Sequence, residues 1–137
     1  MDPTGSNLYY PGPIDTSGTL GVTIFPADGS LQPLGTIAIS NLNNIPQMVF
    51  TPDGRLAFIE TCTVHPNQNP IFSDSRVSDG MLNAAATYTV PIANHCVDVM
   101  ATSPDGKYLA TAVATDVQIY TIASDGTLTP VLPQFLP

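Results

Sequence analysis

The sequence is poor in positive charge. It has three Lys and Arg against eleven Asp and Glu, a net charge of −8. Such a field repels phosphate backbones and anionic lipid, so no nucleic-acid or membrane-surface partner is expected. The three bases, Arg55, Arg76 and Lys107, are scattered and form no basic patch. Charged residues of both signs total 10%, well under the usual quarter. There is no Trp. No segment carries helical periodicity with caps at both ends, and no apolar run is long enough to span a bilayer. A secretory leader and an N-glycosylation sequon are both lacking, which leaves the compartment open, cytoplasmic or exported. Nucleophile-elbow, HExxH and phosphate-cradling Gly motifs are absent, so no cofactor is expected. "SDSRVSDG" is acidic but does not match a calcium loop.

What is present points to β-structure. Hydrophobic residues make up 43% of 137 positions, enough for the core of one domain. Fourteen Pro and ten Gly are spread among short runs of Val, Ile, Thr and Tyr, as in many short strands joined by tight turns. Two turn signals recur in fixed order. "DPTG", "TPDG" and "SPDG" place Pro3, Pro52 and Pro104 at spacings of 49 and 52 residues. "ADGSL", "SDGML" and "SDGTL" place Asp28, Asp79 and Asp125 at spacings of 51 and 46. A period near fifty belongs to propellers and solenoids.

Each unit reads as four strands. In the third, "VDVMATS" runs into the "PDG" turn, "KYLATAV" returns, "DVQIYTIA" follows, and "SDG" leads to "TLTPVLP". Pro presets the first turn position, Asp caps the turn, and Gly supplies a left-handed residue. The expected structural turn residues are Gly5, Asp53, Gly54, Asp105, Gly106 and Gly126. A four-stranded antiparallel sheet in tandem is a propeller blade. The expected fold is therefore all-β, with about three blades in an incomplete ring: blade one about 1–40, blade two about 45–92 and blade three about 96–132. The first unit begins at the turn before its second strand, so blade one should lack its innermost strand. Open blade faces call for further blades, from a longer chain or another copy.

These residues carry a resemblance. "SPDGKYLATAV…VQIYTIASDGTLTPV" resembles a repeat of the lactonase-like seven-bladed β-propellers, a group that includes phosphogluconolactonase and muconate-cyclising branches and grades into YVTN-type repeats of WD40-like architecture. "PQMVFTPDGRLAFIE" and "DPTGSNLYY" match it in the other units. The resemblance covers nearly the whole chain but rests on scaffold residues. It implies a ligand- or protein-binding propeller scaffold or, alternatively, part of a lactone hydrolase that is inactive as this isolated segment. The muconate-cyclising set of a His, a Glu and several Arg does not map onto these residues. The loops "TCTVHPNQNP" and "TVPIANHCVD" depart most.

Propellers bind ligands, small molecules included, at a mouth of the central channel. Arg55 and Lys107 follow "PDG" turns and read as solvated hairpin charges. Arg76, in the third strand of unit two, is expected near the outside. At the other end of the blades, Cys62 and His65 follow the second strand of unit two, and His95 and Cys96 precede the first strand of unit three. Glu60 and Asp98 flank them. Three outcomes stay open: a Cys62–Cys96 disulfide, a site of two thiolates and two imidazoles, or residues that never meet. The spacing is not a standard zinc pattern, so no metal is assigned. For lactone hydrolysis, His65 and His95 are weak candidates as bases and Glu60 as their orienter. The five tyrosines read as core or cross-strand residues.

Overall fold

The computed structural model describes residues 1–14, 20–30, 32–39, 47–60, 69–77, 79–90, 97–113 and 116–131. Among these residues there are eleven strands and no helix: β1 (Asn7–Ile14), β2 (Leu20–Pro26), β3 (Gly35–Ile39), β4 (Gln47–Phe50), β5 (Leu56–Glu60), β6 (Asn69–Arg76), β7 (Leu82–Val90), β8 (Val99–Thr102), β9 (Tyr108–Val113), β10 (Asp116–Ile122) and β11 (Leu128–Pro130). Among the described residues no helix is long and apolar enough to cross a membrane.

The strands form three antiparallel sheets: β1-β2-β3, β4-β5-β6-β7 and β8-β9-β10-β11. They are the expected blades, and the first has three strands where the others have four. Each blade has a front face toward the next blade in the chain and a back face toward the preceding one. Strand alternation assigns the residues to faces. Leu56 and Phe58 lie on the front of blade two, while Ala57 and Ile59 lie on its back.

The hairpins explain why the sheets recur. In the turn between β4 and β5, Gly54 N–H donates to Thr51 O (2.8 Å) and Thr51 N–H to Leu56 O (2.9 Å). The Thr51 hydroxyl donates to Asp53 Oδ1 (2.6 Å), which also accepts from Arg55 N–H (3.1 Å). Ser103 and Asp105 repeat this before β9, with hydroxyl to carboxylate again 2.6 Å. Gly54 and Gly106 sit at φ 69° and 70°, where a Cβ would be strained. The turn before β1 exchanges the two chemistries. Asp2 supplies the carboxylate at the Thr51 position, accepting from Ser6 N–H (2.9 Å), and Thr4 supplies a hydroxyl at the Asp53 position.

Two apolar clusters fill the seams. Between blades one and two lie Tyr9, Ile24, Ala57, Ile59 and Leu82, with Met48, Phe50 and Phe72 against them. Between blades two and three lie Leu56, Phe58, Ile71, Met100, Leu109, Tyr120 and Leu128. Aromatic pairs cross both seams: Tyr9–Phe50 at 5.0 Å and Tyr88–Tyr120 at 4.9 Å between ring centroids. Tyr9 and Tyr120 thus belong to the core, as expected of the tyrosines, but Tyr10 and Tyr108 are exposed. Their faces have no neighbouring blade among the described residues.

Candidate functional site

Glu60 ends β5, opposite Gln47 of β4 and Ile71 of β6. Its side of the sheets also holds Val97 and Asp98, just before β8. The topology therefore brings Glu60 and Asp98 to one end of adjacent blades. Cys62, His65, His95 and Cys96 lie outside the described residues.

Glu60 is only 3% exposed, and its Oε1 has no hydrogen-bond partner among the described residues. Burial pushes its carboxyl up to about 7. A backbone hydrogen bond from Val97 pulls the other way, and the Asp98 charge adds to the rise. A carboxyl at this value exchanges its proton near neutrality, the property required of a general acid or base.

Gln47 was not singled out by its sequence, yet it joins the inner strands here. Its side-chain amide donates to Asp98 O and accepts from Met100 N–H (3.2 Å). Thr102 Oγ1 adds a bond to Phe50 O (2.7 Å). The only cue to Gln47 was a polar residue opening an apolar strand after Pro46.

The bases lie elsewhere. Arg55 pairs with Asp53 of its own turn (2.6 Å) and Lys107 with Asp105 (3.7 Å), and all four side chains are at least half exposed. The hydrogen bond from Arg55, then that from Thr51, holds the Asp53 carboxyl down at about 2. A cleft of about 400 Å³ runs between these two hairpins, floored by Leu56 and Ile122.

Arg76 corrects the expectation that it lies near the outside. It ends β6 on the back of blade two and is almost buried in the seam with blade one. Its Nη2 contacts Asp2 Oδ2 (2.6 Å) and Asn7 Oδ1 (2.7 Å), and Nε donates to Tyr9 Oη (3.2 Å). Tyr9 in turn donates to Gly80 O (2.6 Å). Arg76 is thereby committed to holding two blades together.

No family model and no curated protein matches the sequence. Solved structures do. A provisionally assigned 6-phosphogluconolactonase of Bacteroides fragilis superposes with TM-score 0.72 at 19% identity, over 94% of this chain and 35% of its own. A Lactobacillus plantarum protein gives TM-score 0.66 at 17% identity, over 90% and 40%. The β-propeller domain of Cps50 (Swd1) from Myceliophteria thermophila gives 0.64 at 15%, over 92% and 39%. The fold is that of β-propeller blades. The chain spans 35–40% of the length of these structures.

Proposed function

We propose that the 137 residues act as one propeller segment, a binding scaffold whose open faces take further blades and whose Glu60 end takes a ligand. One observation carries this reading. Positions that are buried in the inner seams stand open at both ends of the array. Leu8 and Tyr10 on the back of blade one are 45% and 58% exposed, while their equivalents Ala57, Ile59 and Leu109 are fully buried. On the front of blade three, Val99 and Tyr108 are 54% and 43% exposed. Apolar faces of this kind mark interaction surfaces.

The Glu60 carboxyl favours a second reading, participation in lactone hydrolysis. It could protonate a leaving oxygen or take a proton from water. The lactonase-like resemblance and the Bacteroides fragilis neighbour support that chemistry. Against it stands the commitment of Arg76 to the seam and of Arg55 to its own hairpin, which leaves no cation beside Glu60 among the described residues for a phosphosugar.

Titration with glucono-δ-lactone and its 6-phosphate, followed both by calorimetry and by acid release, separates the readings. The scaffold reading expects no acid release above the spontaneous rate. Turnover that Glu60→Gln abolishes would establish the second reading and displace the first.

A further inference from the structure

Each inner seam is keyed at the same three positions. The first residue of the preceding blade's second strand meets the last residue of the next blade's third strand and the glycine four places further on. At the first seam these are Asn7, Arg76 and Gly80. At the second they are Leu56, Ile122 and Gly126. The glycines leave room for the incoming side chains: a Cβ on Gly80 would come within 2.5 Å of the Asn7 amide group, and one on Gly126 within 2.7 Å of Ser73 Oγ, with Leu56 Cδ2 next at 3.4 Å. The partners match in kind, polar with polar at the first seam and aliphatic with aliphatic at the second.

Blade one carries a counterpart of the receiving half in Gly29, with Phe25 four residues before it; here the strand runs on to Pro26, so Phe25 lies opposite Leu8 and Ala27, whose N–H donates to Ser6 O, holds the register place of Arg76 and Ile122. Gly29 has the same backbone, φ 86° against 90° and 87°, but nothing lies within 4 Å of where its Cβ would be. Beside it opens an apolar cleft of about 320 Å³, walled by Leu8, Tyr10, Phe25 and Pro26. Blade three carries the inserting half. Its residue at the Asn7 and Leu56 position is Tyr108, an exposed aromatic. Phe25 is the aromatic that would meet it.

We infer that a second copy of this chain docks head to tail, the front of blade three onto the back of blade one, with Tyr108 seated on Gly29 against Phe25. This rests on the reading that the open faces take blades, and it names the blade. The contact is built on the glycine that both existing seams use, and an aromatic pair takes the place of their polar and aliphatic pairs. Two copies joined at both ends make six blades, within the range in which such rings close.

Light scattering coupled to size exclusion tests the pairing. The wild-type chain should run at twice the monomer mass. Phe25→Glu and Tyr108→Arg, each at a surface position of the monomer and checked for retained β-signal by circular dichroism, should each run as monomers. Their equimolar mixture should return to the doubled mass, with one native seam and one Glu–Arg seam. A monomeric wild type, variants that still dimerise alone, or a mixture that stays monomeric would overturn the pairing. Binding of an apolar dye separates the two readings: a monomeric wild type that binds dye keeps its open faces and loses only this partner, while one that binds none loses both.

Discussion

The two inner seams join blades of one design by different means. At the first, Arg76 reaches the buried carboxylate of Asp2 and the side chains of Asn7 and Tyr9. At the second, Thr51, Leu56 and Ile122 occupy the places of Asp2, Asn7 and Arg76. The contrast shows that blade packing constrains shape and side-chain alternation tightly and polarity only in matched sets. A buried ion pair brings little net stability over apolar residues of similar volume, because desolvation offsets its attraction. Removing one partner alone is costly, because the other charge stays buried.

The largest expected effect follows from that asymmetry. Arg76→Ile alone, which copies the second seam's residue, should lower stability by about 3–5 kcal/mol in chemical denaturation. Adding Asp2→Thr and Asn7→Leu should recover most of the loss. A triple variant no better than the single would show that the seams are not interchangeable.

Glu60 probes the second seam through pH. Its ordinary value is 4.5 and its folded value about 7, so between these the folded chain binds more protons than the unfolded one. Its share of stability is therefore complete below about 4.5, falls as pH rises to about 7, and changes little beyond. At about 1.4 kcal/mol per unit, the fall amounts to about 3 kcal/mol. Buried Asp74, also raised by burial, acts in the same direction. Comparing urea denaturation of the wild type and Glu60→Gln at pH 5 and pH 8 isolates the Glu60 share. Equal pH dependence in both proteins would remove it.

The smallest effect concerns the key glycines. Ala at Gly29 meets only the conformational cost of its φ, about 1 kcal/mol. Ala at Gly80 or Gly126 meets that cost and a clash, with the Asn7 amide at 2.5 Å or Ser73 Oγ at 2.7 Å. Thermal unfolding of the monomeric Phe25→Glu background should rank Gly29→Ala as the mildest by about 1 kcal/mol. Equal losses at all three positions would deny that the seams are keyed there.

The hairpins were legible in the sequence because their chemistry is local. Thr51, Asp53 and Gly54 satisfy one another within four residues, so their spacing declares the turn and, repeated, the blade. The seam was not legible. Arg76 and Asp2 are 74 residues apart, and "FSDSR" has the polar look of a solvated edge strand. Only the relative placement of two blades turns it inward. Glu60 was legible as a candidate by its position at the end of a strand, but its burial depends on Val97 and the neighbouring blade. The exchange of Asp and hydroxyl in the turn before β1 was readable in "DPTG". Its reason, a carboxylate required by Arg76, was not.

That exchange has a consequence for how such a chain can be rearranged. Blades cast from one template could be duplicated, deleted or shuffled, since any front would suit any back. Arg76 ends this freedom for blade two. Set behind a blade that begins "TPDG" or "SPDG", its guanidinium would enter a seam without a carboxylate at the Asp2 position. A single ion pair thus acts as an address, matching blade two to a preceding blade that offers a carboxylate at the Asp2 position.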